Sequence, residues 1–399
     1  MPRNLLSAEQ TARRLGVKLE TVYAYVSRGV LNRTLSHDGR ASRFDSKEVD
    51  ELAARGRPRR GARRTGNVEV TLATAITGIQ DDRLLYRGYD ATALARQASF
   101  EAVAELLWTG ALPERRPSWP APEHKPLRPI KTAGPLDCLA LTTAALAPQY
   151  PLRVDLQPSR VAEHARLLLT AFPPSLPLAA TSERKERSNG LAAQLFQRLS
   201  PLPATSARIQ LLDAALVLMA DHELATSTLA ARVAASTRAD PFAVVLAGLG
   251  ALSGPLHGRA AARVQTMIAD ASASSAEAAI ARLLGASERI PGFGHPVYRG
   301  IDPRAAFLLK ELYAVLKSSD CALLERLAAE GTRSSTRQPN VDFALGALAF
   351  ALEMRPGSTE AVMAVARTAG WIAHAIEEYG EAPLRFRARS IYVGARAHE

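Results

Sequence analysis

From Asn67 onward, apolar residues recur at spacings of three and four. The windows "ASFEAVAELLWTGALP", "RIQLLDAALVLMADHELATSTLAARVAAS" and "NVDFALGALAFAL" carry this period with abundant alanine and leucine, and so predict helices with one face turned to a core. Alternating patterns are sparse. Only "NVEVTLATAITGIQ" and "DRLLYRG" read as strands, and together they predict one small hairpin. Residues 112–135 and 172–190, rich in proline and charge, predict loops. This long part of the chain is expected to be mainly α.

Residues 5–53 follow another pattern. Ser7 with Gln10 three positions on predicts a capping box, "AEQTARRLG" a short amphipathic helix ended by Gly16, and "KLETVYAYVSRG" a second helix stopped by Gly29. An extended "NRTLSHDGRASRF" with a turn at Asp38-Gly39, then a third helix capped by Asp45 or Ser46, completes a winged helix-turn-helix pattern. The unit resembles the DNA-binding domain of the MerR/excisionase type, which implies that Thr21, Tyr23, Tyr25 and Arg28 lie on or near a recognition helix. Regulators of that type usually dimerise through a long heptad helix. None follows here, so any dimer is expected to form through the rest of the chain.

Composition narrows the class. At 399 residues, 47% hydrophobic and 22% charged, the chain is globular and long enough for two to three domains. No apolar run reaches the roughly 18 residues of a membrane span, and "MPRNLLSAEQ" lacks a signal-peptide core, so a soluble cytoplasmic protein is expected. Cys138 and Cys321 are far apart without a CxxC partner, which indicates neither a disulfide framework nor a thiolate zinc site. The net charge of +11 favours anionic partners, whether nucleic acid or metabolites. Part of it is concentrated in a basic linker, residues 54–66, "ARGRPRRGARRTG". Its "RGRP" is the core of an AT-hook, making Arg55 and Arg57 candidate minor-groove contacts; the alternative is a solvated linker.

Four segments hold polar groups that a helical core would not choose without reason. "ADHELATSTLAARVAAST" sets His222 between Asp221 and Glu223 inside an alanine-rich helical pattern. "SGPLHGRAAARV" puts His257 at a turn that opens a helix, and "QPNVDFALGAL" puts Asp342 just inside a helix start. "PGFGHPVYRGIDPRA" holds His295 in a glycine loop stiffened by Pro291 and Pro296 and followed by Arg299 and Arg304, which suggests an imidazole aimed at an anionic ligand. Taken singly, His222 reads as a packed histidine and Asp342 as a helix-start acid favoured by the macrodipole.

In this order, the segments resemble the citrate synthase family. The resemblance runs from about residue 67 to 394, through "LLYRGYDATALARQASFEAVAELLWTGALP", "ADHELATSTLAARVAAST", "GPLHGRA", "PGFGHPVYRGIDPRA", "PNVDF" and "RARSIYVG". It implies all-helical large and small domains, over residues 67–399 with the small subdomain at about 260–350, and a homodimer. Condensing acetyl-CoA with oxaloacetate needs a carboxylate base for the acyl carbon and a donor for the developing enolate. The resemblance assigns these to Asp342 and His257, and the polarisation of the ketone to His295. It gives the carboxylates of oxaloacetate to His222, Arg304 and Arg387, and places the acyl-CoA, a co-substrate and not a bound cofactor, along the loop with Gly292, Gly294 and Pro296. No metal is implied, since the histidines lack ligand spacing.

Three departures from the family pattern stand out. Ala225 replaces a common Asn after His222, Arg259 and alanines replace the usual "GGANE" continuation, and the sequence runs only five residues past "YVG". Many relatives send a further arginine into the partner's site from that region, a role Arg396 would have to fill. Propionyl-CoA in place of acetyl-CoA, and a DNA-binding regulator that senses an acyl-CoA or oxoacid, are the alternative functions.

Overall fold

A computed structural model describes residues 5–27, 31–35, 41–54, 70–120, 133–179, 190–298 and 300–387. The chain divides into two compact units, residues 1–72 and 73–399.

The first unit runs β1 (Leu5–Ser7), α1 (Ala8–Leu15), α2 (Leu19–Ser27), β2 (Thr34–Leu35), β3 (Ser42–Asp45) and α3 (Ser46–Ala54). The predicted capping box forms reciprocally between Ser7 and Gln10, and Gly16 ends α1 in the left-handed region at φ 61°. Asp45 is the cap of α3, its Oδ1 accepting from the Lys47 amide at 2.9 Å. The strands pair antiparallel in the order β1-β3-β2, so the β2–β3 pair forms the wing. Ala12, Val22, Leu31, Phe44 and Val49 make a small core of their own. On α2, Tyr23 is exposed and Thr21 half-buried, whereas Tyr25 packs against that core. The expected features at Arg28, Asp38-Gly39, Arg55 and Arg57 lie outside the described residues.

The second unit opens with β4 (Thr77–Gln80), β5 (Arg83–Tyr86) and β6 (Tyr89–Asp90), an antiparallel sheet with one strand more than the predicted hairpin. Asp81 and Asp82 both have positive φ, the geometry of a tight two-residue hairpin turn. Helices follow: α4 (Ala91–Gln97), α5 (Phe100–Thr109), α6 (Pro135–Leu146), α7 (Pro158–Ser175), α8 (Leu191–Leu199), α9 (Ser206–Met219), α10 (Thr226–Ser236), α11 (Pro241–Leu252), α12 (Ala260–Ala273), α13 (Ala276–Gly285), α14 (Pro303–Tyr313), α15 (Ser318–Ser335), α16 (Val341–Ala351) and α17 (Ser358–Tyr379). Their starts obey local chemistry. Asp90, Ser99, Thr205, Asp240, Ser275, Asp302 and Asn340 cap with their side chains.

Almost all of α17 is buried, and it packs on α5, α6, α7, α9, α10 and α11 as the axis of the unit. Helices α12, α13, α15 and α16 pack on one another beside it.

Two expectations are corrected. Helix α7 runs through Pro173 and Pro174 to Ser175, into a stretch expected to be loop. The prolines fall in its last turn, with the helix ending one residue later at Ser175, and Phe172, Pro173 and Ser175 are buried. The single helix expected around His222 is instead two, α9 and α10, broken over residues 220–225. Glu223 takes a positive φ of 49° there, which no helix accommodates.

Candidate active site

The break between α9 and α10 is where the site begins. It turns the His222 ring, 8% exposed, into a cavity of about 500 Å³, with Nε2 at 3.0 Å from the Tyr298 hydroxyl. The same cavity is lined by His257, His295, Arg304, Asp342 and Arg367. Residues from five separate segments therefore converge. The sequence reading had brought together all of these except Arg367.

His295 owes its place to the two glycines before it. Gly292 and Gly294 sit at φ +84° and +80°, and a Cβ on Gly292 would lie 2.7 Å from Val264 Cγ2 and 2.9 Å from Phe343 Cβ. A Cβ on Gly294 would meet Arg337 Cδ at 2.6 Å. This close approach lets the loop be stitched to residues 338–340. The Gly294 amide donates to the Gln338 carbonyl at 2.8 Å, and the Asn340 amide donates to the Gly292 carbonyl at 2.9 Å. Asn340 also spends both ends of its side chain here. Its Nδ2 donates to the Gly294 carbonyl at 2.8 Å, while its Oδ1 caps α16 through the Asp342 and Phe343 amides. One residue thus fixes the His295 loop against the helix start that carries Asp342. Gly294 and Pro296 line the cavity; Gly292 lies behind it, against α12 and α16.

Charges are arranged around these groups. Asp302 caps α14 and grips Arg304 with both oxygens, at 3.0 Å to Nε and 2.8 Å to Nη2. Its Oδ2 also accepts from the Val341 amide at 3.1 Å. Arg304 stands over the Tyr298 ring and reaches 3.5 Å from His295 Nε2. Burial and the Arg304 cation hold His295 at about 4, against the opposing pull of Asp302. Burial and Arg367 likewise hold His257 at about 4, and burial with the nearby Arg304 and Arg367 keeps His222 well below its ordinary value. All three imidazoles are neutral at pH 7. Burial pushes Asp342 up to about 6, with Arg304 pulling down and Asp302 adding to the rise.

His295 Nδ1 accepts from the Val297 amide at 3.2 Å, while its Nε2 faces the Arg304 donor Nη2 at 3.5 Å. His257 Nε2 lies 2.8 Å from the hydroxyl of Ser227, a buried residue in the first turn of α10.

Several positions depart from expectation. Arg387 is exposed beyond α17 and does not line the cavity. Arg304, expected to bind a carboxylate of oxaloacetate, is paired to Asp302. Arg367 was missed. It is 3% exposed, its Nε donates to the Met219 carbonyl at 3.0 Å, and its signal was a lone cation in the buried run "VMAVARTAGWIAHA". Ala225 lines the cavity as the N-cap of α10, without a side-chain cap. Arg259 is exposed at the start of α12 and is not among the lining residues; Arg299 and Arg396 lie outside the described residues. Among the described residues no group of three or more His, Cys, Asp or Glu is arranged to hold a metal ion, and no helix is long and apolar enough to cross a membrane.

Comparison with known proteins gives the same picture. The family described as "Citrate synthase, C-terminal domain" matches residues 66–389, and a helix-turn-helix domain matches residues 5–57. Citrate synthase 2 of Bacillus subtilis is 30% identical over 352 residues, covering 82% of this chain and 94% of its own length. The citrate/2-methylcitrate synthase of the same organism is 30% identical over 350 residues, covering 79% and 92%. The crystal structure of citrate synthase from Thermotoga maritima superposes with a TM-score of 0.65 at 27% identity, over 82% of this chain and 94% of that one. With the family matched across nearly the whole second unit, the chain belongs to the citrate synthase family and is a citrate synthase-like enzyme carrying an N-terminal helix-turn-helix domain.

Proposed function

We propose that this enzyme condenses acetyl-CoA with oxaloacetate to give citrate and CoA. The Asp342 carboxylate takes a proton from the acyl α-carbon while His257 donates a hydrogen bond to the thioester oxygen, where charge develops. The enol carbon attacks the oxaloacetate ketone, and His295 polarises that ketone and passes a proton to its oxygen. Water then cleaves the citryl thioester and CoA leaves as the thiol. His222, Arg304 and Arg367 bind the carboxylates of oxaloacetate, and the segment with Gly292, Gly294 and Pro296 borders the acyl-CoA.

The observation that carries this reading is that base, donors and cations line one cavity, with the base raised to about 6 and the donors His257 and His295 held at about 4. A carboxylate ionised at neutral pH but more basic than usual suits proton abstraction from a weak carbon acid. Neutral imidazoles suit donation without competing for that proton. The test is Asp342→Ala, which should abolish turnover while oxaloacetate still binds by calorimetry; normal turnover would remove the base assignment. Propionyl-CoA is the close alternative acyl donor, since one methylene is worth only about 1–3 kcal/mol in such a pocket. The working unit is proposed to be a homodimer.

A second reading is supported by the helix-turn-helix domain. In it, the chain also binds duplex DNA through α2, where Tyr23 is exposed and Thr21 half-exposed, with Arg28 and the basic segment bearing Arg55 and Arg57 as further contacts. Retention on duplex DNA should then weaken with salt and vanish on deletion of residues 1–66. Unchanged retention after deletion would remove this role.

A further inference from the structure

Helix α17 presents one stripe to the break that carries His222. Arg367, Gly370, His374 and Glu377/Glu378 follow at spacings of three and four, so they share a face. Each meets the break or its supports. Arg367 Nε donates to the Met219 carbonyl, and the Gly370 amide donates to the Ala220 carbonyl at 3.0 Å. A Cβ on Gly370 would lie 2.3 Å from Asp221 Oδ1, so α17 runs directly against that side chain. His374 Nε2 stands 3.2 Å from Asp221 Oδ2.

The tautomer of His374 follows from its other neighbour. Arg232 Nη1 lies 3.1 Å from His374 Nδ1, and a guanidinium has only donors. Nδ1 therefore accepts, and Nε2 carries the proton that it donates to Asp221. Arg232 is held in turn by Glu378 at 2.9 Å and Glu377 at 2.6 Å, and Glu378 takes Arg385 at the protein surface. Asp221, His374, Arg232 and Glu378 are all 0% exposed. Burying such a chain of charges is costly, and packed apolar residues would serve stability as well or better. What the chain specifies is direction. It fixes the carboxylate of the residue immediately before His222, within a backbone that leaves helical geometry at Glu223.

We infer that His374, oriented by Arg232, is a positioning residue that acts through Asp221 to hold His222 at the oxoacid end of the cavity. The inference rests on the proposed condensation, in which His222 binds the carboxylates of oxaloacetate. His374 touches no substrate in this account. Its loss should therefore weaken oxoacid capture and leave the acyl-CoA side of the site alone.

The test compares wild type with His374→Ala and His374→Gln, the amide of Gln being able to donate to Asp221. Thiol release by wild type in the presence of oxaloacetate is measured first; its absence would defeat the proposed condensation itself, and with it this inference. Given active wild type, His374→Ala should raise the KM for oxaloacetate about tenfold or more with the acyl-CoA KM unchanged, and His374→Gln should recover most of that loss. An unchanged oxaloacetate KM, or equal losses for both substrates, would overturn the inference while leaving the condensation intact. If His374→Ala does not fold, Arg385→Gln at the exposed end of the chain carries the test. It should raise the oxaloacetate KM alone, by about threefold, and no change would overturn the inference.

Discussion

Nε2 of His257 and Oγ of Ser227 are 2.8 Å apart, a contact that ties the turn before α12 to the first turn of α10. With the hydroxyl donating, the imidazole is the Nδ1–H tautomer, and Nδ1 is the donor available to a thioester oxygen. Removing the hydroxyl releases both the tautomer and the ring. Ser227→Ala is expected to lower kcat by about ten- to a hundredfold with little change in Tm, as for other orienting partners of catalytic groups. Steady-state kinetics beside a melting curve checks this; an unchanged kcat would show that the contact does not set the tautomer.

The raised Asp342 gives a pH limb with a definite sign. A base at about 6 is ionised above that value, so kcat/KM should fall as pH drops through 6, with neither His257 nor His295 adding a limb between pH 5 and 8. Stability moves the other way. Folding favours the protonated Asp342, so its contribution is full below the unfolded value of about 3.9 and is lost as pH rises through 6. Asp342→Asn should consequently be inactive yet melt higher than wild type at pH 8. A lower melting point there would contradict the burial cost assigned to the carboxylate.

The two depressed histidines act in the acid range. Folding favours their neutral forms, so the stability they contribute is present above about 6.5 and is lost as pH falls toward 4. Tm should drop over that window. A His257→Gln/His295→Gln double variant should show a shallower drop, and an identical slope would place the acid sensitivity elsewhere.

Much of this was legible from the chain. The three- and four-residue period located helices such as α5 and α16 even though these are buried almost all round, and the capping chemistry at Ser7 and Asp45 marked two of the starts. His257, His295 and Asp342 stood out because each lies at a punctuated helix start or glycine loop. The break at 220–225 did not. Its residues "ADHELA" continue an alanine-rich helical pattern, and what opens it is tertiary: α17 packs against Asp221 and draws it to His374. Arg367 was hidden for a related reason, since its role depends on where α17 lies in the unit. Arg387, read from a motif, lies exposed beyond α17 and is not among the residues lining the cavity of the single chain.

The glycine loop supplies a structural prediction. Gly292→Ala places a Cβ against Val264 and Phe343 in a left-handed conformation, and is expected to cost about 2–4 kcal/mol. Because the loop is stitched to Asn340, the loss should reach both His295 and Asp342, lowering kcat as well as Tm. Chemical unfolding alongside kinetics measures both. A stable variant with wild-type kcat would show that the close approach is not required.

The most direct measurement is thiol release from acetyl-CoA and propionyl-CoA, each with and without oxaloacetate, on the purified full chain. Release is expected to depend on oxaloacetate and to disappear in Asp342→Ala. Release independent of oxaloacetate, or none from either thioester in folded protein, would contradict the proposed condensation.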